Sequence, residues 1–171
     1  MPARRKLGAC LLLPMLALAV AAIIGCGSST KPNSLEYRFQ ASPAAVMFNI
    51  PLAIQKKSIG HLGENLSSDF TAIGPFGPQQ QQDTLSRAEF LGYIESLFQA
   101  ERATLTIDTL SSHVANDSLV RYDVHLSLAV TYTVGGTFTY ESPAIFLFKQ
   151  EPRDSGIWRL FEWIDTTSVS I

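Results

Sequence analysis

Asp123 and His125 have the residue types and the spacing for acid/base work. They stand two positions apart, on one face if their stretch is a strand. A carboxylate held beside an imidazole raises the imidazole pKa and makes a donor–acceptor pair. The opposite face carries Tyr122, Val124, Leu126, Leu128, Val130 and Tyr132. If that apolar face meets the core, Asp123 and His125 point to solvent or to a second copy of the chain. His113 shares the phase of Leu105 and Ile107 and would face inward, unless the Ser111-Ser112 pair lets its strand slip. Tyr122, Tyr132 and Tyr140 project inward and could offer hydroxyls to a ligand, although a core phenol with a wet tip is the commoner outcome. With Phe48 from the first helix and Trp158 from the last strand, they form the expected lining of a pocket. No catalytic residue is assigned. His61, His113 and His125 match no zinc spacing, so neither a metal nor a cofactor is expected.

The elements that would position these side chains centre on residues 119–150, LVRYDVHLSLAVTYTVGGTFTYESPAIFLFKQ. Strict alternation over 122–132 marks a half-buried strand. At about 3.3 Å per residue a strand over 119–133 would run roughly 50 Å, so it must bend. Its return begins after Gly135-Gly136. A three-residue loop, 134–136, puts Tyr132 beside Phe138, Val130 beside Tyr140 and Val124 beside Phe146. That register keeps apolar partners on one face, with Gly136 left-handed; a two-residue loop would put Tyr132 beside Thr139. Pro143 implies a bulge or an edge. Residues 144–148 are apolar on both faces, and a second subunit would cover the outer one.

Upstream, Ser42-Pro43 starts a helix whose stripe is Val46, Met47, Ile50, Ala53 and Ile54, with a kink expected at Pro51. A second, glycine-weakened helix covers 59–66, a short strand 69–73, and a loop 74–83. Ser86 and Glu89 spell a capping box, flanked by Leu85 and Phe90 as a staple. The helix that follows buries Phe90, Leu91, Ile94, Leu97 and Phe98 and keeps Arg87 outside. Strands are expected over 103–107 and 157–165, the latter with Trp158 and Leu160 on one side and Phe161 and Trp163 on the other.

The chain has 171 residues and a net charge of −2. Arg4, Arg5 and Lys6 precede an apolar run to Ile24, then Gly25-Cys26. This resembles a bacterial lipoprotein signal, which implies cleavage after residue 25 and acylation (palmitate) of Cys26. An uncleaved membrane anchor is the alternative, and either would put the rest of the chain outside the cytoplasm. Residues 1–25 contain three basic residues and no acid, so their loss takes the net charge to −5. That disfavours a nucleic-acid partner. Cys10 leaves with the signal, so no disulfide is expected. The expected division is a signal at 1–25, a lipidated tether at 26–36 and one domain over 37–171. Gly27 is not the Asp that holds many such lipoproteins at an inner membrane. The expected location is therefore the cell envelope, on the periplasmic side of the outer membrane where there are two.

Three features carry a resemblance over about residues 40–167: the two-helix start ending in Ser67-Ser68-Asp69-Phe70, the helix after the loop, and Gly156-Ile157-Trp158-Arg159-Leu160 with Trp163-Ile164-Asp165. Together they resemble the NTF2-like superfamily of SnoaL-like proteins and ketosteroid isomerases. The resemblance implies an α+β, NTF2-like (cystatin-like) fold: a curved antiparallel sheet wrapped around three N-terminal helices, an apolar pocket at the open end, and frequent homodimers. In ketosteroid isomerases the general base is an aspartate followed by proline. Here Gly74 precedes Pro75, and the oxyanion tyrosine would fall near Phe48 or Asn49. Without those groups that proton transfer is disfavoured. The expectation is a non-catalytic domain that binds an apolar small molecule or acts as a scaffold, its concave side greasy and without a proton-transfer group. The alternatives are a SnoaL-like isomerase, dehydratase or hydrolase with a different acid/base set, and a structural envelope protein working through a sheet-face dimer.

Overall fold

The computed structural model describes residues 36–76, 81–151 and 156–167. Tyr37–Ile171 forms one compact unit, and all that follows concerns it. The expected signal and Cys26 lie outside the described residues.

Helix α1 (Pro43–Gln55) begins as its sequence dictates: Ser42 Oγ accepts from Ala45 N at 3.3 Å and proline occupies the first turn. It continues through Pro51 as one element and buries Val46, Ile50, Ala53 and Ile54. Helix α2 is the short Ile59–Glu64. Strand β1 (Leu66–Gly74) takes over at Leu66, earlier than expected. Strand β2 (Asp83–Ser86), which was not expected, begins at the last residue of the expected loop and pairs antiparallel with β1. Helix α3 (Arg87–Leu97) has both halves of its capping box: Glu89 N donates to Ser86 Oγ and Ser86 N to Glu89 Oε2. Arg87 is not wholly outside; its Nη2 donates to Gly63 O at 2.8 Å and ties α3 to α2. Strands β3 (Arg102–Asn116), β4 (Leu119–Tyr132), β5 (Gly136–Glu151) and β6 (Ile157–Asp165) complete the chain.

The six strands form one curved, open sheet in the order β2-β1-β6-β5-β4-β3. It is antiparallel except where β1 runs parallel to β6. α1 packs on β3 and β6, and α3 on β1. Between helices and sheet runs a chain of rings: Phe70 to Phe90 (5.1 Å), Phe90 to Trp163 (5.4 Å), Trp163 to Phe146 (4.7 Å) and Phe146 to Phe148 (6.2 Å).

Register sets the faces. The β4–β5 loop is 133–135, one residue earlier than expected. Gly135 and Gly136 both have positive φ (115° and 84°), and Gly136 has already joined the ladder opposite Tyr132. Val130 therefore meets Phe138, Leu128 meets Tyr140 and Tyr122 meets Phe146. The correction is a slide of two residues, an even number, so every side chain keeps its expected face. Two bulges do change faces. In β3 the ladder slips between Thr109 and Ser111, at the expected serine stretch, and turns His113 outward. In β6, Leu160 pairs with Phe148 and Glu162 with Leu147, leaving Phe161 as the extra residue. Leu160 and Trp163, expected on opposite sides, are consequently both buried.

Pro143 makes neither a bulge nor an edge. Its carbonyl accepts from Thr166 N at 3.0 Å, on the β6 side, so its missing N–H also faces that side, where β6 ends at Asp165. Of the apolar run, Ala144, Phe146 and Phe148 are buried, and the chain by itself half-buries Ile145 and Leu147.

Two glycines give opposite predictions. Gly92 is exposed inside α3, and a methyl there would meet nothing within 4 Å. Gly92→Ala should stabilise the domain by up to about 1 kcal/mol. Gly156 has φ +91°, and a Cβ would lie 2.5 Å from Gln150 Nε2. Gly156→Ala should destabilise by roughly 1–2 kcal/mol. Urea unfolding of both variants checks the pair.

On the outer face Lys149 reaches across β6 to Asp69, with Nζ 2.6 Å from Oδ2. That hydrogen bond first, then the one from Ser67, holds the Asp69 carboxyl below its ordinary 3.8. A carboxyl depressed in the folded state stabilises fully above its unfolded pKa and loses that contribution as pH falls through the folded value. The Asp69 side chain is 64% exposed, so the gain is under about 1 kcal/mol. Lys149→Met should lower stability at pH 7 by under about 1 kcal/mol and flatten this limb of the acid-unfolding curve, so that variant and wild type converge as pH falls below 3.8.

Candidate ligand cavity

The concave side of the sheet, with α1 and α3, forms a partly open cavity of about 220 Å³. It exceeds the roughly 150 Å³ that holds benzene in an engineered apolar cavity. Alternation along the strands supplies Leu105 from β3, Leu126 and Leu128 from β4, and Phe138 and Tyr140 from β5. The helices supply Ile54, Phe90, Tyr93 and Ile94, and Pro75 and Phe76 follow β1. The bulge at Phe161 turns Trp163 inward and, two residues later, Asp165.

Asp165 is the departure from expectation. It is 3% exposed and lines the cavity. Its Oδ2 accepts from Tyr140 OH at 2.5 Å. Its Oδ1 accepts from Ser142 Oγ (2.6 Å), Thr167 Oγ1 (2.5 Å) and Thr167 N (3.0 Å). Burial first, then the bond to Asp165, pushes the Tyr140 phenol above its ordinary 10.0. Tyr93 is likewise raised, first by burial and then by Tyr132. The hollow is thus not purely greasy: a carboxylate and a phenol meet inside it. No imidazole is among the described lining residues.

Gly74 explains how the carboxylate fits. Ile73 pairs with Ile164, so Gly74 lies beside Asp165. A Cβ on Gly74 would stand 3.0 Å from Asp165 Cβ and 3.0 Å from the Phe76 ring. Gly74, which the resemblance sets at the isomerase base position, carries no side chain, and Asp165 on the neighbouring strand takes up the space beside it.

Of the expected lining, only Tyr140 is found there. Phe48 is half-buried on α1 with the Arg38 guanidinium 3.7 Å above its ring. Tyr122 packs edge-on against Phe148 (5.6 Å), several residues along β4 from the cavity wall at Leu126 and Leu128. Tyr132 is 43% exposed at the hairpin end of β4. Trp158 sits at the start of β6, the opposite end from Asp165, with its backbone N–H donating to Gln40 O. Asn49, near the matched oxyanion position, is a buried clamp: its amide bonds both Arg38 N and Arg38 O at 2.7 Å and Asn65 Oδ1 at 3.1 Å.

Asp123 lies on the outer face as expected, but its partners are not His125. It accepts from Ser111 Oγ (2.6 Å) and Arg121 Nη2 (2.6 Å), with His113 Nε2 at 3.5 Å. Ser111 and then Arg121 hold its carboxyl below the ordinary 3.8. Serine, histidine and aspartate meet here without forming a nucleophilic triad. Ser111 donates directly to the aspartate, and one imidazole nitrogen faces both partners, whereas a triad needs one ring nitrogen for each. Among the described residues no group of three His, Cys, Asp or Glu side chains could hold a metal.

The sequence reading missed Asp165 and its support, Ser142. Residue 165 was legible as a strand end; its inward phase was not, because one bulged residue decides it.

No family model matches this sequence, and no curated protein does. Solved structures do. A conserved protein from Planctomyces limnophilus superposes with a TM-score of 0.61 at 17% identity, covering 71% of this chain and 89% of that one. A ketosteroid isomerase-like protein from Erwinia carotovora atroseptica gives 0.56 at 12% identity, over 74% and 93%. An uncharacterized protein with a cystatin-like fold from Caulobacter vibrioides gives 0.55 at 12% identity, over 71% and 84%. At these identities the likeness is one of fold, and it agrees with the strand order, the three helices and the concave cavity: this chain has the NTF2-like, cystatin-like α+β fold.

Proposed function

We propose that the chain is a small-ligand-binding domain, tethered to a membrane outside the cytoplasm through lipid on Cys26, and that the cavity is its binding site. One observation carries the reading: an aliphatic and aromatic hollow of about 220 Å³ with a single buried polar cluster, Tyr140 and Asp165, at its wall. Such a combination, mostly apolar with few placed polar groups, is what small-molecule sites share. Where the host has two membranes, the outer one facing the periplasm is the proposed location, since Gly27 follows the cysteine. A second copy on the outer sheet face would complete the cover of Ile145 and Leu147.

The Tyr140–Asp165 pair gives the SnoaL-like enzyme alternative its one foothold. Binding is favoured over it because a general base needs a lone pair aimed at the substrate. Asp165 already accepts from Tyr140, Ser142 and both donors of Thr167. Native mass spectrometry of the protein taken from its own host tests the reading. A small molecule retained at one per chain, and lost when Leu128→Trp fills the cavity, is the expected result. Retention unchanged in Leu128→Trp would overturn the assignment of the site.

A further inference from the structure

We propose that the ligand of this cavity is an organic cation: a protonated amine carried on a small apolar body. The proposal rests on reading the cavity as a ligand site and names the chemical class that its polar wall and its rings select.

The cluster around Asp165 offers acceptors and no free donor. Tyr140 has one hydroxyl proton, and it goes to Asp165 Oδ2. The Thr167 hydroxyl and amide protons go to Asp165 Oδ1, and the Ser142 proton is shared between Asp165 Oδ1 and Pro143 O. Four hydrogen-bond donors, one of them the Thr167 backbone N–H, converge on the Asp165 carboxylate. Tyr140 lines the cavity, and its oxygen, which also lies 3.1 Å from Thr167 Oγ1, has no further proton to give and can only accept, with the Asp165 carboxylate behind it. A ligand carbonyl would find no donor in this cluster. A ligand carboxylate or phosphate would in addition meet the like charge of Asp165, itself only 3% exposed. A ligand N–H or O–H would be satisfied.

Charge separates the last two. Asp165 is the only charged side chain among the described lining residues, and no lysine or arginine is there to balance it. The remaining wall is rich in π faces: Phe76, Phe90, Tyr93, Phe138 and Trp163. Their rings attract a cation electrostatically, most strongly when water is excluded. The same low-dielectric wall focuses the field of Asp165 into the hollow. A neutral alcohol would satisfy the Tyr140 oxygen but gain nothing from the rings' quadrupoles or from the charge behind the phenol. An ammonium gains from all three.

The test is calorimetric titration of the full protein at neutral pH with three ligands of one shape: 2-phenylethylamine, 2-phenylethanol and phenylacetate. The amine should bind at least about tenfold more tightly than the alcohol. Phenylacetate should not bind measurably. In Asp165→Asn the preference for the amine over the alcohol should fall to within about twofold. The wild-type ratio decides the ligand class even if Asp165→Asn does not fold. In that event the Trp163 indole N–H resonance locates the site, and it should shift as the amine saturates. Equal affinities for amine and alcohol, or a preference for phenylacetate, would overturn the cation proposal and leave the apolar-cavity reading standing. If none of the three binds, both fall together.

Discussion

Phe146→Ala is expected to destabilise the domain by about 3–5 kcal/mol, the largest loss of any single core truncation. The residue is fully buried at the centre of the sheet on β5, and its ring touches both Phe148 and Trp163. Tyr122 stands opposite it on β4 and Trp163 on β6, so the cavity left behind is walled by strands that hydrogen-bond on both sides and cannot close in. Removing it strips apolar contact and leaves a void, and both losses add. Phe138→Ala, on the same strand but 55% exposed, should cost under about 1 kcal/mol. Urea unfolding followed by tryptophan emission measures both, since Trp163 lies against Phe146 and reports directly on its neighbourhood. Equal losses for the two variants would contradict the placement of the core.

The second large effect concerns Cys26. Cys26→Ser should abolish acylation entirely: labelled palmitate enters the wild-type chain in its host and none enters the variant. The physical stake is large, because an acyl chain of about sixteen carbons contributes on the order of 12 kcal/mol of membrane affinity, and a second chain makes anchoring durable. Intact mass gives the same answer independently. The wild-type protein should begin at residue 26 and carry acyl mass; the variant should carry none. Palmitate incorporation surviving Cys26→Ser would move the lipid elsewhere or end the lipoprotein reading.

Much of the fold was legible because its signals are local. The Ser42-Pro43 start, the Ser86/Glu89 box and the alternation through β4 each depend on a few adjacent residues, and each lies where the sequence puts it. The resemblance resting on element order also held as a fold. What was not legible depends on single residues inside long strands. The bulge at Phe161 has no glycine or proline to announce it, yet it decides that Leu160, Trp163 and Asp165 all face in. The slip in β3 was anticipated at Ser111-Ser112, and it carries His113 out to Asp123. Strand β2 was hidden because four residues, DTLS, are too few for a periodic pattern and three of them are exposed. The expected tyrosines were on the right face but at the wrong height: Tyr122 and Tyr132 flank the cavity along β4, and only Tyr140 reaches it. Face follows from parity, whereas height follows from where the helices end, and that is a tertiary fact.

The central claim is that the concave hollow is a place where small molecules bind. Titration of the isotope-labelled protein with toluene, followed by methyl and indole NMR, tests it most directly. The expected result is saturable shifts confined to Ile54, Ile94, Leu105, Leu126, Leu128 and the Trp163 indole, with the outer-face Ile145 and Leu147 unmoved. Shifts spread over the outer face, or none at the cavity residues up to the solubility of toluene, would contradict it.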